Sequence, residues 1–424
     1  MDGLHLTADC FDCTAEMSLF LEADLLSAFI ASCVKDTGLT LVGEKYVSFS
    51  NPDHSPAGVT GTALLAESHV ALHTWPELKA VTLDVYVCNF MQDNSLKAHQ
   101  LLELLIRRFN PVRCTRQELQ RGRIQPDLAT EALSTVTHYR TQLQQRIMQT
   151  QSQFQQIEIA DTHDFGRIMR IDQAMMTSEK DEFFYHENLV HPAAITHPEP
   201  KTALIIGGGD GGSSRQLLQH PSIERIVLCE IDEEVVSIAR QYLTAIHQGA
   251  LDNAKVEHVY ADGFAYVQNS DEQFDLILLD LTDPLSPDGS SLAATCMTED
   301  FFHQCCARLT TQGMLVMHLG SPFYHPQRYR DTLKKLAAAF PLVRPYSVFI
   351  PLYGAEWGMA VASTAADPLA LTGSTVKQRI EHRGLQNCHY YNEQTHQAQF
   401  AIPNYLRDLM PDPTYRNDRE KACV

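Results

Sequence analysis

The chain has 424 residues, of which 44% are hydrophobic and 20% charged. That is enough apolar material to bury cores in two or three domains, and it excludes a disordered polypeptide. With 33 Lys and Arg against 52 Asp and Glu, the formal net charge is −19, which argues against a nucleic-acid backbone binder and suits cationic small molecules.

In chain order, His5–Cys13 reads as a first strand. Glu22–Val34 carries Leu25, Leu26, Phe29, Ile30 and Val34 at helical spacing. Leu39–Phe49 and Gly58–Ala66 read as strands. Val81, Leu83, Val85 and Val87 alternate with Thr82, Asp84 and Tyr86, the mark of a half-buried strand. Ser95–Phe109 reads as a helix stopped by Pro111. Residues 1–115 are therefore expected to form a small two-layer α/β sandwich. Residues 116–150 are polar and contain QRGRIQPD and a helical-looking stretch, Glu131–Gln149. They are read as a linker or connecting helix, with the domain boundary near 115–135. Residues 151–180 alternate like a few strands and are expected to form a small β subdomain. From Lys201 the pattern is strand, glycine turn, helix and strand: Thr202–Ile206, GGGDGG, Ser213–Gln219, Ile226–Glu230, Glu233–Leu243 and Phe274–Asp280. Residues 181–424 thus read as a Rossmann-like doubly wound sheet, and the fold class as α/β.

The eleven cysteines are odd in number and scattered, which suits reduced thiols in a cytosol better than a secreted disulfide scaffold. Cys10 and Cys13 form a C-x-x-C with neither the second pair nor the His spacing of a zinc site, so no metal is expected. The N-terminus has no basic region followed by an apolar stretch. The longest apolar runs, such as Ala203–Ile206 and Leu276–Leu279, fall far short of a membrane span. A soluble cytoplasmic protein with no membrane partner is expected.

Residues 67–77 read ESHVALHTWPE, which places a hydroxyl, two imidazoles and two carboxylates in eleven residues, and Cys88 closes the next strand. There is no G-x-S-x-G elbow around Ser68, which argues against a Ser-His-Asp hydrolase. The string, with GVTGTALLAE before it and D-x-Y-x-C at Asp84–Cys88, resembles the bacterial and archaeal S-adenosylmethionine decarboxylases over about residues 3–113. The resemblance implies self-cleavage between Glu67 and Ser68. The Ser68 hydroxyl attacks the preceding carbonyl to give an ester, β-elimination releases the Glu67 carboxylate and leaves dehydroalanine, and hydrolysis of the dehydroalanine with loss of ammonia gives a pyruvoyl group at the new terminus. It implies His73 as processing base, Thr60 as hydroxyl helper where the family has Ser, and Cys88 as the proton donor after decarboxylation. The pyruvoyl cofactor derived from Ser68 holds the substrate amine as a Schiff base. Asn89 stands where the family commonly has Gly. A basic amino acid such as ornithine or arginine remains an alternative substrate, since the processing motif is the same.

Gly207, Gly209 and Gly212 fit G-x-G-x-x-G between a strand and a helix, and Glu230 ends the next strand, placed for ribose hydroxyls. Taken alone, this pattern fits a dinucleotide enzyme, a methyltransferase or another S-adenosyl ligand binder. Further strings are YADGF at 260–264, DLTDP at 280–284, FGRIMRIDQAMMTSEKDEFFYHEN from Phe165, and IPLYGAEWG from Ile350. Together they resemble spermidine synthase and the polyamine aminopropyltransferases, from about Gln151 to Leu409. The resemblance implies Asp280 as proton acceptor from the attacking amine and Asp283 as an acceptor-amine ligand. It implies Asp210 and Asp283 on aminopropyl or acceptor nitrogens. Gln155, Glu230, Asp262 and Gly263 hold the nucleoside, Pro287 lies on the thioether side, and Tyr185, His186 and Tyr353 line the amine channel. The spacing from Tyr353 to Trp357 is one residue shorter than usual. Asp164, Asp172 and Asp252 read as solvated turns, and Met175, Met176 and Phe183 as core or channel wall.

The two resemblances imply one bifunctional route. S-adenosylmethionine is decarboxylated by the first domain, and the second transfers the aminopropyl group to putrescine, giving spermidine and methylthioadenosine. A homo-oligomer is expected. The alternatives are a pyruvoyl-dependent ornithine or arginine decarboxylase in front of the transferase, or one catalytically inactive, regulatory domain.

Overall fold

The computed structural model describes residues 2–52, 55–89, 92–122, 127–281, 297–385 and 387–410. The chain divides into two units, Met1–Gln125 and Pro126–Val424.

In the first unit, β1 (Gly3–Phe11), β2 (Leu41–Ser50), β3 (Pro56–Leu65), β4 (Ser68–Trp75), β5 (Ala80–Cys88) and β6 (Arg113–Arg121) form one sheet in the order β2-β3-β4-β5-β1-β6. The short α1 (Ser18–Leu21) precedes α2 (Ala23–Asp36), and α3 (Ser95–Phe109) lies between β5 and β6 in sequence. Helix α3 buries Ala98, Leu101, Leu102, Leu105, Ile106 and Phe109, the i, i+3, i+4, i+7 stripe of an amphipathic helix. Together with Leu26, Ile30 and Val34 of α2, these close over Leu4, Leu6, Val70, Leu72, Leu83 and Val85 in a two-layer core. Each buried Leu, Ile or Phe contributes roughly 1.5–3 kcal/mol. Because strand side chains alternate, the other face of the same strands carries the polar set His5, Thr60, His73, Asp84 and Tyr86.

The reading of 116–150 as a linker or connecting helix is corrected. Arg113–Arg121 is the sixth strand of the first sheet, paired with β1. Leu128–Ala132 (β7) and His138–Gln151 (β8) are strands of the second unit. The Gln- and Arg-rich composition favours helix locally, but Thr141 and Leu143 are buried at a period of two, and β8 is paired on one side by β7 and on the other by β9. Long-range pairing overrides intrinsic propensity here. Strands β7, β8, β9 (Gln156–Thr162), β10 (Gly166–Ile171) and β11 (Ala174–Ser178) form one antiparallel sheet.

Beyond α4 (Glu182–Thr196), a seven-stranded sheet runs in the order β14-β13-β12-β15-β16-β18-β17. Its strands are β12 (Thr202–Gly207), β13 (Arg225–Glu230), β14 (Val256–Tyr260), β15 (Phe274–Asp280), β16 (Leu309–Gly320), β17 (Leu342–Ile350) and β18 (Ala355–Ser363). Strands β12 to β16 pair in parallel and β18 is antiparallel to β16. Helices α5 (Gly212–Leu218), α6 (Glu233–Tyr242), α7 (Thr244–His247), α8 (Gly263–Asn269), α9 (Glu299–Ala307) and α10 (Pro326–Ala339) accompany these strands. Strand order reverses between β12 and β15, so their carboxyl ends splay open a crevice. Gly207 and Asp280 are register partners at that point.

Candidate active sites

In the first unit, β3 and β4 form a hairpin with Leu65 opposite Ser68, and β4 runs beside β5 with Ser68 opposite Val87. The Cys88 backbone N–H donates to the Glu67 carbonyl at 2.8 Å, so a donor already points at the carbonyl preceding Ser68. The Glu67 carboxylate accepts from the Thr40 backbone N–H at 3.2 Å. Ser68 has φ +158°, at the edge of a region that non-glycine residues seldom occupy. Glu67, Ser68 and Cys88 therefore meet. Thr60 Oγ1 and His73 Nδ1 also meet, at 3.0 Å across β3 and β4. They do not meet Ser68: His73 lies five residues further along β4, about 16 Å at about 3.3 Å per residue.

The same face holds a group that motif reading had not assigned. Asp84 Oδ2 is 2.7 Å from His5 Nε2, and Asp84 Oδ1 is 3.5 Å from His69 Nε2. The Tyr86 ring contacts both imidazoles, with centroids 5.7 and 5.6 Å away. The sequence signal was present in the first imidazole of ESHVALH and in the acidic residue of D-x-Y-x-C. What it lacked was β1 lying beside β5, which brings His5 to them.

In the second unit, Gly207 has φ +81°, and a Cβ there would lie 2.2 Å from the Asp280 carbonyl oxygen, so only glycine lets the turn cross the end of β15. At Gly212 a Cβ would lie 2.2 Å from His186 Cε1. The bare backbone admits the imidazole between α4 and the turn. His186 Nδ1 is 2.8 Å from Glu182 Oε2, and its Nε2 is 3.3 Å from Asp210 Oδ2. Arg215 Nη2 backs Glu182 at 2.7 Å. Ser213 Oγ donates to Asp280 Oδ2 at 2.6 Å, and the Tyr185 hydroxyl also bonds to Asp280. Ligand-capable atoms of His186, Asp210 and Asp280 lie within 4.8 Å of one another.

Around this centre, Tyr185 and Tyr353 pack at 6.3 Å and Tyr353 packs on Trp357 at 4.8 Å, forming an aromatic wall. The Tyr353 hydroxyl donates to the Met176 carbonyl at 2.7 Å. Asp181, which accepts the Leu352 N–H at 2.7 Å, holds that loop. Next along the sheet, Glu230 is buried at the end of β13 and accepts the Asp232 N–H at 3.1 Å. Gln155 Nε2 donates to Asp232 at 3.0 Å. Asp262 caps α8 by accepting the Phe264 N–H at 2.9 Å, and Gly263 packs against Ile206. Asp210, Asp280, Tyr185, His186 and Tyr353 thus converge on one end of the crevice, with Glu230 and Gln155 along its edge. Asp283 and Pro287 lie outside the described residues. Motif reading missed Glu182, Arg215 and Ser213. Glu182 precedes His186 by one helical turn, a readable i, i+4 pair, whereas the Ser213–Asp280 bond spans a crossover invisible in the string.

A family model for the spermine/spermidine synthase domain matches residues 182–370, one for the spermidine synthase tetramerisation domain matches 141–179, and one for S-adenosylmethionine decarboxylase matches 4–122. A polyamine aminopropyltransferase of Nitrosomonas europaea is 41% identical over 292 residues, covering 69% of this chain and 88% of the relative. The chain belongs to the polyamine aminopropyltransferases. It carries an S-adenosylmethionine decarboxylase domain ahead of the transferase, which makes it an enzyme of polyamine biosynthesis. A further aminopropyltransferase, from Pyrobaculum neutrophilum, is 39% identical over 59% of this chain and 86% of its own length. Among solved structures, a spermidine synthase in complex with the transition-state analogue AdoDATO superposes with a TM-score of 0.62 at 34% identity, covering 68% of this chain and 97% of that one. The spermidine synthase of Thermotoga maritima gives 0.61 at 33% identity, covering 68% of this chain and 96% of that one.

In the aminopropyltransferase unit the two central carboxylates are electrostatically unequal. Burial, with the neighbouring Asp210 charge, pushes Asp280 above the usual carboxylate range. Burial works on Asp210 in the same direction, but the His186 imidazole and the Gly212 N–H outweigh it and hold Asp210 below that range. Burial disfavours a charged His186, yet Asp210 and Glu182 on its two nitrogens raise its pKa well above the ordinary value. The arrangement provides one anchored anion, Asp210, and one carboxylate with raised proton affinity, Asp280. Glu230 is pushed up to about 7, mainly by burial. No helix among the described residues is long and apolar enough to cross a membrane.

Proposed function

We propose that the chain makes and then consumes decarboxylated S-adenosylmethionine, transferring its aminopropyl group to putrescine to give spermidine and methylthioadenosine. The observation carrying the transfer reading is the unequal pair Asp210 and Asp280 at the β12/β15 switch point. A diamine is almost fully protonated at neutral pH, and displacement at the carbon bonded to sulfur needs a free amine lone pair. Asp280, with its raised proton affinity, takes the proton from the attacking nitrogen, while Asp210, kept ionised by His186, holds an ammonium. Tyr185 and Tyr353 line the channel for the methylene chain and exclude water. Glu230 accepts the ribose hydroxyls, Gln155 lies at the same edge, and Asp262 and Gly263 hold the adenine end. Asp283 is assigned to the acceptor amine and Pro287 to the thioether side by the family resemblance alone.

For the first unit, the reading is self-cleavage at Glu67–Ser68. As the Ser68 hydroxyl adds to the Glu67 carbonyl, the Cys88 N–H lies where the negative charge develops. A pyruvoyl group formed from Ser68 supplies an electron-withdrawing carbonyl to the substrate amine. Cys88 then returns a proton to the substrate carbon after carbon dioxide leaves. Within one chain the Thr60–His73 pair cannot reach Ser68, so His73 acts as processing base on the Ser68 of a second copy. This fits a homo-oligomer, as does the tetramerisation match over 141–179.

Incubation of purified protein with S-adenosylmethionine and putrescine is expected to release carbon dioxide and yield spermidine. Cleaved protein that produces neither would refute the bifunctional reading. Carbon dioxide from ornithine or arginine, and none from S-adenosylmethionine, would replace the first half alone.

A further inference from the structure

The C-x-x-C cysteines find no use in either site, but the fold gives one of them a partner. Cys10 on β1 and Cys114 on β6 are directly opposed in the antiparallel register. Such residues have Cα atoms about 4.5–5.5 Å apart, inside the roughly 4.4–6.8 Å span of a disulfide. Their sulfurs are already 3.5 Å apart. Cys10 is buried in the core and Cys114 is exposed. The Arg116 side chain hydrogen-bonds to the Cys114 sulfur, placing a guanidinium beside the accessible thiol. Cys13 is buried nearby. The two sulfurs lie on opposite sides of the Glu67–Ser68 bond in sequence.

We propose that Cys10 and Cys114 are an oxidisable thiol pair whose disulfide covalently ties fragment 1–67 to fragment 68–424 once the chain has cut itself. The tether rests on the cleavage reading; the pair itself does not. With a peroxide as the two-electron oxidant, Cys114 sulfur attacks one peroxide oxygen, the O–O bond breaks, and Cys114 becomes a sulfenic acid as hydroxide leaves. Cys10 sulfur then attacks Cys114 sulfur and displaces its hydroxyl, and the Cys10 proton completes the balance. Overall, two thiols and one peroxide give one disulfide and two waters. Burial raises the proton affinity of Cys10, which assigns the first step to Cys114 and the resolving step to Cys10. Without the bond, fragment 1–67 contributes β1, β2 and β3 and is held only non-covalently to β4, β5 and β6.

The test uses full-length protein treated with hydrogen peroxide, with remaining thiols then alkylated. Part is run on a denaturing gel with and without dithiothreitol, and part is digested for peptide mass measurement. The expected result is one full-length band without reductant, fragments 1–67 and 68–424 with it, and a peptide pair linked through Cys10 and Cys114. Cys114→Ser and Cys10→Ser should release both fragments under either condition, and Cys13→Ser should keep the tether. Two fragments regardless of reductant, with no linked peptide, overturns the proposal. A single band that persists in dithiothreitol sinks the cleavage reading instead. The digest then decides the thiol pair: the linked peptide upholds it and its absence overturns it.

Discussion

Replacing Asp280 with Asn isolates the proton-accepting role in the transferase. Asparagine has nearly the same volume and keeps a carbonyl oxygen to accept the Ser213 hydroxyl bond, now 2.6 Å long, so the end of β15 and its pairing with Gly207 should survive. What disappears is a group able to take a proton from the attacking amine. No neighbour substitutes, because Asp210 is committed to the charged His186 and its low pKa makes it a poor base. Loss of a positioned general base costs about 10²- to 10⁴-fold in rate, or about 3–5 kcal/mol of transition-state stabilisation. The ionised carboxylate is the active form, so wild-type activity should fall as pH drops through the raised Asp280 pKa, and the variant should lose that acidic limb. The assay is methylthioadenosine release from supplied decarboxylated donor and putrescine from neutral pH down through the acidic range. A variant retaining more than about a tenth of wild-type turnover, or showing the same acidic limb, would refute the assignment.

Ser68→Ala should leave the chain uncleaved and without decarboxylase activity, with aminopropyl transfer from supplied donor unchanged; loss of both activities in a folded protein would contradict two separate sites. Co-expressing Ser68→Ala with His73→Ala should restore cleavage of the His73→Ala chain alone, because its Ser68 meets the intact His73 of the other copy; the absence of any cleaved fragment in the mixture contradicts action between copies. Donor affinity should weaken as pH falls below about 7, where Glu230 gains a proton, and Glu230→Gln should bind the donor weakly at all pH values; a pH-independent wild-type KM would remove Glu230 from ribose binding. His191, buried against His220 at 3.1 Å and Gln216 at 3.1 Å, is held neutral, its pKa lowered by burial to about 3. Its folded pKa lies below the unfolded value of about 6.5, so the unfolded chain takes up the proton first and this stability is lost as pH falls from there towards about 3. Roughly 2 kcal/mol is gone by pH ~5. Calorimetry should show the melting temperature of the second unit falling over that window and falling less in His191→Gln; equal curves would show that His191 is not the cause.

The sequence by itself determined the elements whose periodicity is local. The apolar stripe of Ser95–Phe109, the alternation of Val81–Val87 and the strand–glycine–helix run from Thr202 each carry their own pattern, and all three stand in the fold. It also named residues that the fold brings together: the Glu67–Ser68 bond with Cys88, and the glycine turn with Asp280 at a strand end. Three things were decided only by tertiary structure. His138–Gln151 has helix-favouring composition and became a strand because β7 and β9 supply its hydrogen bonds. The distance of His73 from Ser68 follows from the extended rise of β4, whereas in the string the two are near neighbours. The charge of each carboxylate in the transferase depends on which imidazole, hydroxyl or carboxylate the folded chain sets beside it. Those contacts join residues 24 to 67 positions apart, as in His186 with Asp210 and Ser213 with Asp280. Proton affinity is set by burial and by neighbours in space, and no spacing within one string records either.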